Sequence, residues 1–471
     1  MTAFVQVYPT RPRTLWDDPP AMRIAARSLV AAVLALVCAG RPAAQPAAVL
    51  LTGGRVIPGD GRPPIENAAV VVQDGRIVQV DVVGRVAAPS GVQRIDASGK
   101  TLIPAIVDGH VHLGFQVGLN FAAANYTRAT LIDQLNRYAY AGVGTVLSMG
   151  TDAGDLPLQV RADQASGKVG GARFLLAGRG LAAPNAGPAS PEMKPTAFGV
   201  ETEADARRLV RELVAQHVNV VKIWVDDRNH TVQKLSPALY RAVIDESHKL
   251  QTKVVAHVFY LDDAKELARA GVDAFAHLVR DTDVDDELIS LVKAHHVLVM
   301  PNMTISENGV FTSPPAWLDD PLLHDVAPPD WIERVRAGFS SRSPEAAQRA
   351  SQTLRMMQRT LAKLHAAGAI IGFGTDDGAV RDHFYAYTAH RELRNMVAAG
   401  MTPLQAITAA TRTTAAFLGL NDRGVIAPGK AADFIILNAN PLDDIANTTR
   451  IADVYLRGEK LDRPSMRASF K

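Results

Sequence analysis

The chain has 471 residues, enough to bury a large core and to build one barrel of ~250 to 350 residues beside a smaller domain. Lysine plus arginine number 50 against 48 for aspartate plus glutamate, and no basic block interleaved with aromatics occurs, which argues against nucleic acid as a partner. Hydrophobic residues make up 47%, ordinary for a globular protein, and beyond the N-terminus no apolar run approaches the ~20 residues that a membrane span requires.

Residues 1–21 show no periodicity and read as a start-site extension, with Met22 as the true start. A basic segment from Met22 to Arg27, an apolar run from Ser28 to Ala39 and a small-residue stretch then follow in the order of a secretory signal. A signal peptide over 22–45, cleaved after Ala39 or Ala44, predicts a secreted or periplasmic protein with no membrane span once mature. Cys38, the only cysteine, falls inside the signal, so the mature chain would have neither thiol catalysis nor disulfides. Ala35-Leu36-Val37 lacks the small residue that a lipoprotein signal places just before its cysteine.

Residues 46–102 alternate short apolar strands with Gly, Pro and Asp-Gly turns, and 421–471 do the same. The two ends are expected to pair into one small β-domain, with 103–420 inserted between them. That middle region alternates strands and helices. The strands are IPAIVDGHVH, GTVLSMG, ARFLLAG, NVVKIWV, KVVAHVF, DAFAHLV, VLVMPNM and AIIGFGTD. Helical periods fall near 203–217, 237–250, 262–270 and 345–368, while the second helix has no clear signal. Eight strands alternating with helices predict an α/β fold of the (β/α)8 TIM-barrel type, whose chemistry sits at the C-terminal strand ends.

Those ends hold the unusual residues. Strand side chains alternate faces, so His110 and His112 of the first strand present two imidazoles to one spot. The fourth strand carries Lys222, the fifth ends in His257, the sixth in His277 and the eighth in Asp376. Each has an ordinary explanation alone: a lysine can snorkel, a histidine can bond locally, an aspartate can cap a helix. Six metal-competent side chains at the tips of five barrel strands point instead to one metal site.

With HVH and FGTD in this strand order, the chain resembles the amidohydrolase superfamily of metal-dependent hydrolases. The resemblance covers nearly everything after the signal. It implies a (β/α)8 barrel flanked by a small β-sandwich built from both chain ends. It also implies two divalent metal ions, zinc by the donor set, with Lys222 N-carboxylated. His110, His112, Lys222 and Asp376 would hold the first ion, and Lys222, His257 and His277 the second. Two ions sharing a hydroxide would supply the nucleophile, and Asp376 would serve as general acid and base. A mononuclear site with a structural Lys222 is the alternative. The adjacent Asp377 reads as a helix cap or a support for the ligands.

Candidates for contact with substrate are Tyr260, Arg280, Asn302, Met303 and His383, with Arg280 or His383 suited to a carboxylate. The segment 302–344, rich in Pro and Trp, reads as a loop or lid over the site, and 182–199 reads similarly. His295 and His296 lie where a helix meets a strand and read as structural. Within the superfamily the chain is similar to secreted bacterial enzymes that include Xaa-Pro and other dipeptidases, carboxypeptidase-like enzymes and hydrolases of aryl amides. VVAHVFY replaces the more polar fifth-strand ending of the dipeptidases. The expected substrate is a small-molecule amide or peptide: a dipeptide, an N-acyl amino acid or an aryl amide. Cyclic amides or imidazolones come second, lactones or esters third, and a catalytically dead secreted metal- or ligand-binding protein is the alternative of another class. A homo-oligomer is compatible with the sequence.

Overall fold

The computed structural model describes residues 48–470. The segments expected to be a start-site extension and a signal peptide, with Cys38, lie outside the described residues. Both chain ends contribute to one sheet, in the order Glu459–Lys460, Ile451–Leu456, Phe434–Leu437, Thr101–Pro104, Val49–Val56, Ile65–Gln73, Arg76–Val82. Gln93–Asp96 pairs alongside the first half of Val49–Val56, so the sheet branches there. The strand-to-strand link between the ends is antiparallel, Ile435 opposite Ile103. Alternation sends Leu51, Val70, Val72, Leu102, Phe434 and Ile436 into a shared apolar core, where Phe434 stacks on Tyr455 with ring centroids 4.7 Å apart. The strand Thr101–Pro104 carries the sheet past the expected border at 102, and the first barrel strand starts at Ile106. The described residues form one compact unit.

Seven barrel strands run Ile106–Val111, Val143–Ser148, Arg173–Leu176, Val221–Val225, Val254–Val258, Ala274–Ala276 and Leu298–Met300. Their pairings are parallel, for example Lys222 with Val255 and His257 with Ala276. Asn219 joins the third strand to the fourth: its amide donates to the Leu176 carbonyl at 2.7 Å, and its side-chain oxygen accepts from Leu176 N–H at 3.0 Å. The eighth position, 371–377, is tied by isolated parallel bridges to Val299 of the seventh strand and Val111 of the first. The result is a TIM-barrel-type α/β fold.

A helix follows every strand: Arg128–Tyr140, Leu156–Ala165, Glu203–Ala215, Pro237–Lys249, Leu261–Arg269, Asp286–Ala294, Pro344–Ala366 and Thr388–Ala398. The four helical periods read from sequence lie within a few residues of the observed helices. Glu203–Ala215 shows the cause. Thr202 accepts from Asp205 N–H as its cap, and Ala206, Leu209, Val210 and Leu213 bury one stripe. The segment 302–344 is not an open loop. It holds helices Thr304–Glu307, Pro321–Val326 and Pro329–Ser340, with Trp317 and Trp331 buried against Phe384. Its prolines open helices, where the missing N–H costs nothing.

Candidate metal centre

Strand tips bring His110, His112, Lys222, His257, His277 and Asp376 to one cavity of about 200 Å³. The histidines, Lys222 and Asp376 are all buried, Lys222 completely. Asp376 Oδ1 lies 3.0 Å from His110 Nε2 and 2.9 Å from His112 Nε2. The rings of His257 and His277 stand 4.5 Å apart, and His277 is 5.2 Å from His110. Among the described residues, His110, His277 and Asp376 offer ligand atoms within 4.8 Å of one another. That group draws members from both expected ligand sets, so the sets share one focus.

The local backbone is built for this convergence. His277 has φ 126°, Asn302 φ 50° and Asp376 φ 60°, all in the left-handed region that L-residues avoid, at the ends of the sixth, seventh and eighth strands. Gly150, at φ +88°, lets the Lys222 stem pass, since a Cβ there would stand 2.7 Å from Lys222 Cγ. Gly378 lies against the first strand end so closely that a Cβ would meet the His112 carbonyl oxygen at 1.8 Å.

A set of neighbouring groups holds these side chains in place. Thr151 Oγ1 lies 2.8 Å from His112 Nδ1 and leaves Nε2 facing Asp376. Asp108, fully buried, accepts from His110 N–H at 3.1 Å and from Thr375 Oγ1 at 2.7 Å. Asp226 Oδ2 lies 3.2 Å from His257 Nε2 and pairs with Arg228 at 3.0 Å. Asp377 is not among the cavity groups. Its carbonyl accepts from His112 N–H, and its carboxylate accepts from the Tyr138 hydroxyl and Ala386 N–H.

Burial sets the protonation of the site. It lowers His110 to about 3 and holds His257 and His277 well below the usual imidazole range, so their lone pairs are free. Burial also pulls Lys222 down to about 7, with Asp376 opposing and Arg228 and Arg280 assisting. For Asp376 burial acts upward, but the His110 and His112 imidazoles outweigh it and keep the carboxylate well below its ordinary range. Burial raises Asp108 to about 7, and burial with the neighbouring Asp108 charge holds Asp377 well above the usual carboxylate range.

The residues present fit a divalent metal. Lys222 Nζ, His110 Nδ1 and His277 Nδ1 are buried without a hydrogen-bond partner, and neutral imidazole with carboxylate is a zinc-type donor set.

Of the five expected substrate contacts, Arg280 alone lines this cavity. Tyr260 donates to Asp227 at 2.7 Å, with the Lys234 ammonium over its ring. Asn302 is fully buried with neither amide atom partnered, Met303 belongs to the main core, and His383 bonds the Thr304 carbonyl oxygen. Arg228, which sequence reasoning missed, does line the cavity and donates to the Gly187 carbonyl at 2.7 Å. The segment 182–199 contributes Pro188, Ala189, Ser190 and Met193 to the wall. His295 and His296 are exposed at the end of their helix, away from the cavity.

The sequence pattern of the amidohydrolase family matches residues 101–461. Adenine deaminase of Oleidesulfovibrio alaskensis is 36% identical over 91 residues, 19% of this chain and 15% of that protein. Imidazolonepropionase of Deinococcus radiodurans is 34% identical over 98 residues, 20% of this chain and 24% of that protein. These matches thus span only a small part of the relatives' own length. Among solved structures, a Bifidobacterium longum protein assigned as a prolidase superposes with a TM-score of 0.71 at 26% identity, over 89% of this chain and 96% of that one. A. niger ochratoxinase superposes with a TM-score of 0.69 over 88% and 95% of the two chains, and at 20% identity it shows the shared fold alone. The chain belongs to the amidohydrolase family.

Proposed function

We propose that the chain is a metal-dependent hydrolase that cleaves an amide or other C–N bond in a small substrate bearing a carboxylate: a dipeptide, an N-acyl amino acid or an aryl amide. The observation that carries this reading is one cavity lined by an unpartnered, buried Lys222 amine, four imidazoles and Asp376, with Arg228 and Arg280 beside them. The names of the relatives, prolidase and adenine deaminase among them, agree with a C–N bond as the target. The match to imidazolonepropionase favours a cyclic amide as the second reading.

His110, His112, Lys222 and Asp376 would hold one divalent ion, and Lys222, His257 and His277 another, with zinc suited to the donors. Lys222 serves as a ligand once its neutral amine has added CO2. A C–N bond forms, one proton leaves to solvent, and the resulting carbamate offers two oxygens that share one negative charge. When bound, the ions lower the pKa of water and polarise the scissile carbonyl. Asp376 accepts the proton of the attacking water and delivers it to the leaving nitrogen. Arg280, with Arg228, binds the substrate carboxylate. The basic, apolar and small-residue succession over 22–45 supports export of the chain.

The test is metal content alongside turnover. Protein loaded with zinc and bicarbonate should hold about two divalent ions per chain and hydrolyse members of a panel of N-acyl amino acids, dipeptides, aryl amides and lactones. Lys222→Ala should lose most of that metal and regain part of its activity with added short-chain carboxylic acids. Unchanged metal stoichiometry in Lys222→Ala would rule out the bridging role.

A further inference from the structure

A second cavity, of about 420 Å³, lies at the carboxyl ends of the second and third barrel strands. It shares no lining residue with the metal-ligand cavity, yet one loop walls both. Pro188, Ala189, Ser190 and Met193 line the metal-ligand cavity, while Glu192, Pro195, Thr196 and Phe198 line the second. Met193 stands between them. It is 1% exposed and clusters with Phe115 and Phe121, on which Tyr126 and Ala153 pack; Phe115, Tyr126 and Ala153 line the second cavity.

The Met193 backbone is pinned. Its N–H donates to the Ser190 carbonyl at 3.1 Å, and its carbonyl accepts from Thr196 N–H at 2.9 Å and Thr196 Oγ1 at 2.6 Å. The thioether is held by packing alone, and an unbranched side chain with three rotatable bonds repacks readily. At about 200 Å³ the metal-ligand cavity by itself is smaller than the usual small-molecule site, and joined to the second cavity it falls within that range. The charged groups of the second cavity are answered from within the protein. Glu192 pairs with Arg381 at 3.2 Å. Arg179 directs Nε and Nη2 to the carbonyls of Thr196, Pro195 and Ala197, with its guanidinium 3.8 Å over the Phe198 ring. Burial lifts the Asp152 carboxyl to about 7, against the Gly178 N–H bond and the Arg161 charge. What remains for an occupant is apolar surface from Phe115, Pro157, Leu158 and Leu176, with Asp155 and Gln216 exposed on the solvent side.

We propose that the second cavity is a subsite for an uncharged apolar tail of the substrate, and that Met193 is the movable wall that admits it. The inference rests on the hydrolase reading above. With the substrate carboxylate on Arg280, a chain or ring too large for the metal-ligand cavity passes the displaced Met193 side chain and lies against Phe115, Pro157 and Leu158. The substrate class narrows to carboxylates that carry an extended apolar group, such as N-acyl amino acids of medium chain length, ahead of small dipeptides.

The experiment is calorimetric titration of the zinc-loaded full chain with butanoate and octanoate, which hold no scissile C–N bond, so that binding is read apart from turnover. Octanoate should bind once per chain and at least ~10-fold more tightly than butanoate, since each buried methylene is worth about a 4-fold gain. Met193→Ala should widen that ratio by ~3-fold or more, because the cost of displacing the wall disappears. Leu158→Trp, which fills the second cavity, should bring octanoate down to the level of butanoate and leave butanoate unchanged, while thermal melting shows the chain folded. Ala153→Phe fills the same cavity beside Met193 and carries the test should Leu158→Trp fail to fold. The proposal is overturned by no octanoate binding at millimolar concentration, by octanoate binding no more tightly than butanoate, by an advantage of octanoate that survives filling of the cavity, or by a ratio that Met193→Ala leaves unchanged. A gain with chain length that is lost on filling the cavity supports the subsite even if no member of the substrate panel is hydrolysed. Turnover of that panel without any dependence on chain length upholds the hydrolase reading and removes the subsite.

Discussion

The composite sheet and the barrel mouth are both well buried, and they treat polar groups in opposite ways. In the sheet, the core is apolar from Leu51 to Tyr455, and its buried acid, Asp433, is paired with Arg423 and accepts from Arg457 N–H at 2.6 Å. At the mouth, His110, His277, Lys222 and Asn302 are buried with atoms that bond to nothing. Among the described residues every such orphaned side-chain atom lies between His110 and Asn395, and none lies in the sheet. Left-handed backbone at His277, Asn302 and Asp376 falls in the same place. A region under selection for stability alone satisfies its buried groups. A region that keeps unsatisfied groups on strained backbone is shaped for something it binds.

The sharpest way to break this contrast is to damage the sheet. Phe434→Ala removes a fully buried ring stacked on Tyr455 and should cost about 3–5 kcal/mol in denaturant unfolding, the usual scale for such a cavity. Turnover per folded molecule should stay at the wild-type level. A matching fall in kcat at temperatures where the variant is fully folded would mean that the sheet helps to shape the mouth.

The converse change is at the mouth. Asp376→Asn keeps the shape and an oxygen donor but cannot carry a proton, so kcat should fall ~10²-fold or more while most metal is retained. The loss should shrink for substrates with good leaving groups, which need less protonation as they depart. Near-normal turnover of an unactivated amide by metal-loaded Asp376→Asn would contradict the assigned role.

The legibility of the two regions in the sequence also differs. Six positions that meet at one cavity could be read directly because a strand has period two and a barrel gathers its strand ends, so HVH, the lysine of VVKIWV and the aspartate of FGTD needed no contact information. The supporting groups could not be read. Asp108, Thr151 and Arg228 act through contacts between residues far apart in sequence, such as Thr375 with Asp108. Arg228 sits in DDRNH, where Arg228, Asn229 and His230 all have left-handed backbone and resemble a surface turn. The Pro- and Trp-rich segment misled for a definable reason: proline punctuates loops and also occupies first helical turns, and only the buried faces of Trp317 and Trp331 decide between the two. The eighth strand was visible as an apolar run, yet Gly372 and Gly374 leave it as bridges rather than a continuous ladder, with Gly374 so close to the first strand that a Cβ would meet His110 Cβ at 2.7 Å.

The smallest expected effect tests whether those unread supporting groups belong to the site or only to the scaffold. Thr151 reaches His112 Nδ1 through one hydroxyl, and that contact chooses which ring nitrogen faces Asp376. Thr151→Val removes the hydroxyl at nearly constant volume and leaves the Nδ1 side of the ring without a partner. Metal affinity, measured by competition with a chelator, should fall about 10-fold, the low end for loss of a group that orients a ligand. Thr151→Ser restores the hydroxyl and should recover most of the affinity, which a role in packing alone would not predict. The unfolding midpoint of the metal-free protein should move far less than in Phe434→Ala. If Thr151→Val bound metal like the wild type but melted as early as the sheet variant, Thr151 would belong with the scaffold, and the boundary between the two regions would lie nearer to the ligands themselves.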